Sequence, residues 1–289
     1  QVTKQSYVYT FDRENGEPIW PIEELPVPAG DVPGEWYSPT QPFPTKPAGF
    51  DRQGLTEDDL IDFTPELREK ALLAVADFRL SPSLYSPPSL KDAPDGTKGT
   101  LSLPSATGGA NWEGSAIDPE TGMLYIPSRT TVSVLSVEKD EDSDVAFSQS
   151  YGVRVPRVNG LPIVKPPYGR ITAIDMNSGD HAWMIANADT PERIANNPAL
   201  AGVDLPRTGI ETKSGILLTK TLLFAGEGVG GGPTLRAHDK MTGEIIAEIE
   251  LPNAQTGVPM TYEHNGKQYL VMVVSGGGTA AEIVAYALP

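Results

Sequence analysis

The sequence contains no cysteine, which removes disulfides, thiolate nucleophiles and Cys-ligated zinc together and leaves the redox compartment open. Positive charge is scarce: 22 Lys and Arg stand against 38 Asp and Glu, a formal net charge of −16. Phosphate backbones are bound by clustered cations, so no nucleic-acid partner is expected. No apolar stretch approaches the ~18 uninterrupted residues of a membrane-spanning helix. The opening residues QVTKQSYVYTFD lack the apolar core of a signal peptide. Histidine is rare, and His181, His238 and His264 are scattered without a second His at metal-ligand spacing, so no zinc site is expected. A Gly-x-Ser-x-Gly elbow is also missing, which leaves a serine hydrolase without support.

Glycine and proline are abundant instead. The 29 Gly and 28 Pro make up about a fifth of the chain, against roughly 12% in average usage. They follow no collagen-like period, so they mark turns between short strands. Four of those turns share one spelling. Asp12–Gly16, Asp118–Gly122, Asp175–Gly179 and Asp239–Gly243 all read Asp-x-x-x-Gly, each after a strand-like run (YVYTF, GSAI, RITAI, LRAH). An Asp that accepts from its own following backbone, then a Gly free to take positive φ, makes a tight hairpin turn. Asn265-Gly266 between MTYEH and KQYLVMVV is a further hairpin signal. Short strands, turn chemistry and a long repeat together imply an all-β chain, a partial β-propeller.

On this reading the whole chain, 1–289, is one partial propeller. Residues 106–186 form a blade, with Asp118 turning its inner hairpin and Asp175 its outer one. Residues 210–251 form the next blade, and 255–289 an incomplete last one. Residues 6–22 look like an outer hairpin without inner strands. Unpaired strand edges are a liability that propellers remove by closing their ring, so the missing strands are expected from polypeptide outside these residues. Residues 21–104 are a Pro-rich inserted loop carrying one helix. Thr64-Pro65 supplies a cap and an N1 proline, and Leu67, Ala71, Leu72, Val75 and Phe78 share one helical face. That helix is expected to cover the outside of the propeller.

Several motifs dissolve on inspection. Gly226-x-Gly228-x-x-Gly231 spells a dinucleotide fingerprint, but Pro233 and the strand-like TLRAHD follow where a helix N-terminus is needed. Ser275–Gly278 lacks the Lys-Ser/Thr ending of a phosphate loop. Asp140, Asp142 and Asp144 resemble the start of a calcium loop, yet Val145 and Tyr151 occupy the Gly and Glu positions, so a solvated acidic loop is the better reading. Two places remain. Lys4 precedes the first strand, where side chains can point into a central channel; Asn111-Trp112 follows two glycines that permit close backbone approach. On residue physics alone, Lys4 reads first as a surface lysine and Trp112 as a packed blade residue.

The stretches TKQSYVYTFDRENGEPIW, SPTQPFPTKP, GLTEDDLIDFTPEL, GGANWEGSAIDPETGMLYIPS, YGRITAIDMNSG, LRAHDKMTGE and GVPMTYEHNGKQYLVMVVSGGG together resemble the pyrroloquinoline quinone (PQQ)-dependent dehydrogenases, most closely the propeller of membrane-bound quinoprotein glucose dehydrogenases. The resemblance runs in order over nearly the whole chain. It implies an eight-bladed propeller of which this chain is about the C-terminal half, located in the periplasm. It also implies PQQ as cofactor, a sugar or alcohol substrate, and a quinone or cytochrome as electron acceptor. By the same resemblance Lys4 hydrogen-bonds the quinone oxygens and is catalytic, Asn111 contacts the cofactor, and Trp112 lines its pocket. The aspartate base and the ligands of a catalytic calcium are expected upstream of Lys4, so the chain alone should be inactive. Ser6 stands where relatives tend to have Gly. The rival reading is a non-catalytic propeller scaffold for protein–protein contacts.

Overall fold

A computed structural model describes residues 1–287; Leu288, which ends the expected last strand AEIVAYAL, and Pro289 lie outside them. Among the described residues three antiparallel sheets follow one another in chain order. The first has four strands, Ala116–Asp118, Met123–Arg129, Gly169–Asp175 and Asp180–Ala186, each paired with its chain neighbour. Ile216–Leu218, Leu222–Gly226, Thr234–Asp239 and Ile245–Glu250 make the second in the same up-and-down order. Met260–His264, Lys267–Gly276 and Thr279–Ala287 make a three-stranded third.

All four Asp-x-x-x-Gly turns close identically. The Gly N–H donates to the Asp carbonyl at 2.7–2.9 Å, the Asp carboxylate accepts the N–H two residues on, and each Gly sits at φ of 76–78°. Asn265 and Gly266, at φ 52° and 74°, turn the third sheet's first hairpin, as a two-residue loop with both φ positive requires.

Alternation along the strands explains the stacking. In Met123–Arg129, Met123 and Tyr125 join a cluster with Leu223 and Ala225 of the second sheet. Leu124 and Ile126 point the other way, toward Val8 and Phe50, as a period of two demands. A third cluster, with Leu235, Leu270 and Met272, joins the second sheet to the third. The order is therefore N-terminal segment, first sheet, second sheet, third sheet, with an apolar layer at each junction. Burying one such side chain contributes about 1.5–3 kcal/mol.

Two expectations are corrected here. Residues 6–22 make a shorter hairpin than expected. The Asp12 N–H donates to the Glu17 carbonyl at 2.8 Å and the Ile19 N–H to the Thr10 carbonyl at 2.9 Å around the isolated bridge Phe11–Pro18, and Pro21 has no N–H to carry the ladder further. The inserted helix, Pro65–Val75, is capped by the Thr64 hydroxyl, which accepts from the Leu67 N–H at 3.2 Å, and it buries Leu67, Ala71 and Val75 as foreseen. It does not cover the sheets, however. Its partners are Leu55, Leu161 and Val164, in a cluster that contains no residue of the three sheets. That lobe also takes in an excursion between the second and third strands of the first sheet, in which Ser133–Lys139 pairs with Thr100–Ser102 and with Phe147–Gln149. The acidic residues Asp140, Asp142 and Asp144 form an exposed turn there.

Candidate functional site

The N-terminal segment folds back at Thr3–Ser6, where the Ser6 N–H donates to the Thr3 carbonyl at 3.1 Å. Lys4 lies at the exposed tip of this turn. Its carbonyl accepts the Gly109 N–H at 3.0 Å, and its Cβ lies 2.7 Å from where a Cβ on Gly108 would stand. Gly108 has φ of 86°. Gly108 is required by its left-handed backbone, while at Gly109 the place of the missing Cβ lies 2.3 Å from Ser6 Oγ, which would have to turn away to admit a side chain.

Three residues further on, Asn111 is anchored by its own side chain. Its Nδ2 donates to the Thr107 carbonyl at 3.0 Å, and its Oδ1 accepts the Trp112 N–H at 2.9 Å. One amide proton remains for another acceptor. Lys4 and Asn111, more than a hundred positions apart, are therefore carried on the same Gly108–Gly109 wall. Trp112 is not a packed blade residue: it is 76% exposed and lines a groove of about 540 Å³ with Val8, Phe11, Ile117 and Met176.

The opposite side of Asn111 borders a narrow cleft of about 10 Å³ between the first and second sheets, whose walls include Arg129, Asn187, Lys213 and Glu113. These residues were not foreseen. They come from separate segments with no shared spacing; the single local signal is a charge, Arg129, closing the largely apolar strand MLYIPSR. Burial lowers the Arg129 pKa, opposed by the fields of Glu113 and Glu211. Among the described residues no group of three or more His, Cys, Asp or Glu side chains is placed to hold a metal ion, and none of the helices is long and apolar enough to cross a membrane. The three histidines remain apart in role: His238 is buried, with its Nδ1 paired to the Gly243 carbonyl at 2.9 Å, while His181 and His264 are exposed.

Successive up-and-down antiparallel sheets, joined one to the next by apolar layers, define a β-propeller protein. The chain belongs to the PQQ glucose/ethanol/alcohol dehydrogenase family, whose β-propeller domain matches residues 1–270. It is 30% identical over 325 residues to the quinoprotein glucose dehydrogenase of Escherichia coli, covering 99% of this chain and 38% of that protein. The quinate/shikimate dehydrogenase (quinone) of Acinetobacter baylyi is 28% identical, with 99% and 37% covered. For the glycerol dehydrogenase large subunit of Gluconobacter thailandicus the figures are 29%, 99% and 42%. The chain thus spans about two fifths of the length of these relatives. Among solved structures it is similar to a quinohemoprotein alcohol dehydrogenase from Comamonas testosteroni, with a TM-score of 0.48 and 18% identity over 95% of this chain and 31% of that one.

Proposed function

We infer that this chain is the C-terminal part of a periplasmic PQQ-dependent dehydrogenase that oxidises a sugar or alcohol hydroxyl by hydride transfer to the quinone. Residues 106–186 and 210–251 serve as successive blades of its eight-bladed propeller and 255–289 as an incomplete last one. The observation that carries this reading is the joining of Lys4 and Asn111 on one glycine wall, because these are the residues that the family resemblance assigns to the cofactor. Relatives named for glucose, glycerol and quinate support a hydroxyl-bearing substrate, and the quinone in the name of the quinate/shikimate relative supports a quinone as electron acceptor.

PQQ supplies the two-electron acceptor when bound. The residues here fit it: a glycine wall that a Cβ would obstruct, an exposed ammonium beside it, and an amide with a proton to give. Lys4 would hold the quinone oxygens, where its compact ammonium would offset negative charge. Asn111 would give a hydrogen bond to the polyanion through its second amide N–H, and its doubly anchored side chain would need little further ordering. Abstraction of the hydroxyl proton and calcium binding belong to polypeptide upstream of Lys4, so residues 1–289 alone have no turnover.

The test uses the full-length protein with calcium, PQQ, a dye acceptor, and glucose, glycerol or quinate. Turnover is expected, and Lys4→Ala lowers it by ~10²-fold or more with the fold intact. An unchanged rate removes Lys4 from the site. Failure of the unmodified protein both to bind PQQ and to turn over selects the scaffold reading.

A further inference from the structure

Three consecutive carbonyls hold the Lys4 turn in place. That of Lys4 accepts the Gly109 N–H at 3.0 Å, that of Gln5 accepts from Nε2 of Gln53 at 2.7 Å, and that of Ser6 accepts the Phe50 N–H at 2.9 Å. Lys4 is itself exposed, so where its ammonium stands depends on the backbone beneath it. The donors come from two distant segments, residues 50–53 in the Pro-rich insertion and the glycine wall that precedes the first sheet.

One buried carboxylate ties those segments together. The side chain of Asp51 is 1% exposed. Its Oδ2 accepts from the Ser128 hydroxyl at 2.7 Å. Its Oδ1 accepts from the Thr130 hydroxyl and from the Arg52 N–H, both at 2.7 Å, and pairs with Nη2 of Arg170 at 3.2 Å. Ser128 and Thr130 flank Arg129, whose N–H donates to the Gly109 carbonyl at 2.9 Å. On the other side, the Thr172 hydroxyl donates to the Phe50 carbonyl at 3.1 Å. Joining the insertion to the sheet would need apolar packing alone, and Phe50 already supplies it in a cluster with Val8 and Ile126. A buried ion pair costs desolvation that such a join does not require. What four directed donors on one carboxylate add is a fixed geometry.

We propose that Asp51 is a positioning residue for Lys4: by locking residues 50–53 against residues 128–130, it sets the Lys4 turn and hence where the ammonium meets the quinone oxygens. This rests on the dehydrogenase reading above. Within that reading Lys4 makes the contact with the cofactor, and Asp51 acts only through it.

The experiment is a double-mutant cycle in the metal-loaded full-length protein, with Asp51→Asn, Lys4→Ala and both together. PQQ affinity of the apoprotein is read by intrinsic fluorescence, and kcat and KM are read with whichever of glucose, glycerol or quinate is turned over. Asp51→Asn, which removes the charge and keeps the shape, is expected to weaken PQQ binding by about threefold or more. It is expected to lower kcat by about tenfold or more, as a displaced catalytic group does, with KM nearly unchanged. In the Lys4→Ala background the same substitution is expected to alter neither, because the group it places is gone. If Asp51→Asn does not fold, Gln53→Ala, which removes the donor to the Gln5 carbonyl, takes its place in the cycle with the same expectation. Equal losses in both backgrounds, or unaltered PQQ affinity and kcat, mark Asp51 as a structural tie alone and overturn the proposal. If the unmodified protein neither binds PQQ nor turns over, the dehydrogenase reading falls and takes this inference with it.

Discussion

Nζ of Lys240 donates to Oδ2 of Asp118 across 2.6 Å, so that the turn of the second sheet is pinned to the turn of the first. Both side chains are buried. The Asp118 oxygen also accepts from the Thr121 hydroxyl at 2.8 Å. One carboxylate thereby shapes its own Asp-x-x-x-Gly turn and receives the lysine that follows the Asp of another.

This pair sets an acid limit on stability. The Lys240 and Thr121 hydrogen bonds hold the Asp118 pKa at about 2, below its ordinary 3.8. A carboxylate depressed on folding stabilises the fold fully above its unfolded pKa and loses that contribution as pH falls through the folded value. Lys240→Met is therefore expected to lower the melting temperature at pH 7. The gap from the unmodified protein should narrow as pH drops from about 4 toward 2. A gap independent of pH over that window, measured by circular dichroism melts, removes the pair from this role.

Ser6 occupies a glycine's conformation. Its φ is 68°, it is fully buried, and its Oγ has no partner among the described residues. Left-handed backbone costs a non-glycine residue roughly 1–2 kcal/mol, partly offset by glycine's greater unfolded-state freedom. Ser6→Gly is expected to stabilise by about 0.5–1 kcal/mol in urea unfolding, and Ser6→Val to destabilise. The reverse order would show that the hydroxyl holds the Lys4 turn.

Arg236 is 2% exposed and serves three carboxylates: Glu227 at 2.6 Å, Asp189 at 2.7 Å and Glu248 at 2.8 Å. Arg236→Met leaves the buried Glu227 charge uncompensated and is expected to cost about 3 kcal/mol or more. Arg236→Lys recovers little of it, because one ammonium cannot replace a three-sided fork. A loss below about 1 kcal/mol in denaturant titration would contradict this assignment.

What the sequence made legible was local. The Asp-x-x-x-Gly turns and the Thr64 cap are settled by a side chain acting on backbone within a few residues, so their chemistry can be read from letters alone. The N-terminal ladder is shorter than the alternation in YVYTF suggests, because Pro21 withholds the donor that would follow Ile19. The course of the inserted helix was misread because its apolar face fits any apolar surface, and only the folded chain shows that surface to be Leu55, Leu161 and Val164. For the candidate site, Lys4, Asn111 and Trp112 are proposed from family resemblance alone. Arg129, Asn187 and Lys213 meet only when strand ends from two sheets are brought side by side, and no spacing encodes that.

The lobe's hydrophobic cluster draws on Leu55, Leu161 and also on Ile194 and Leu200, whereas every strand of the first sheet is in place by Ala186. Because domains take shape as the chain emerges from the ribosome, the frame precedes its ornament. The first sheet has all its strands before the lobe threaded through it receives its last anchoring side chains.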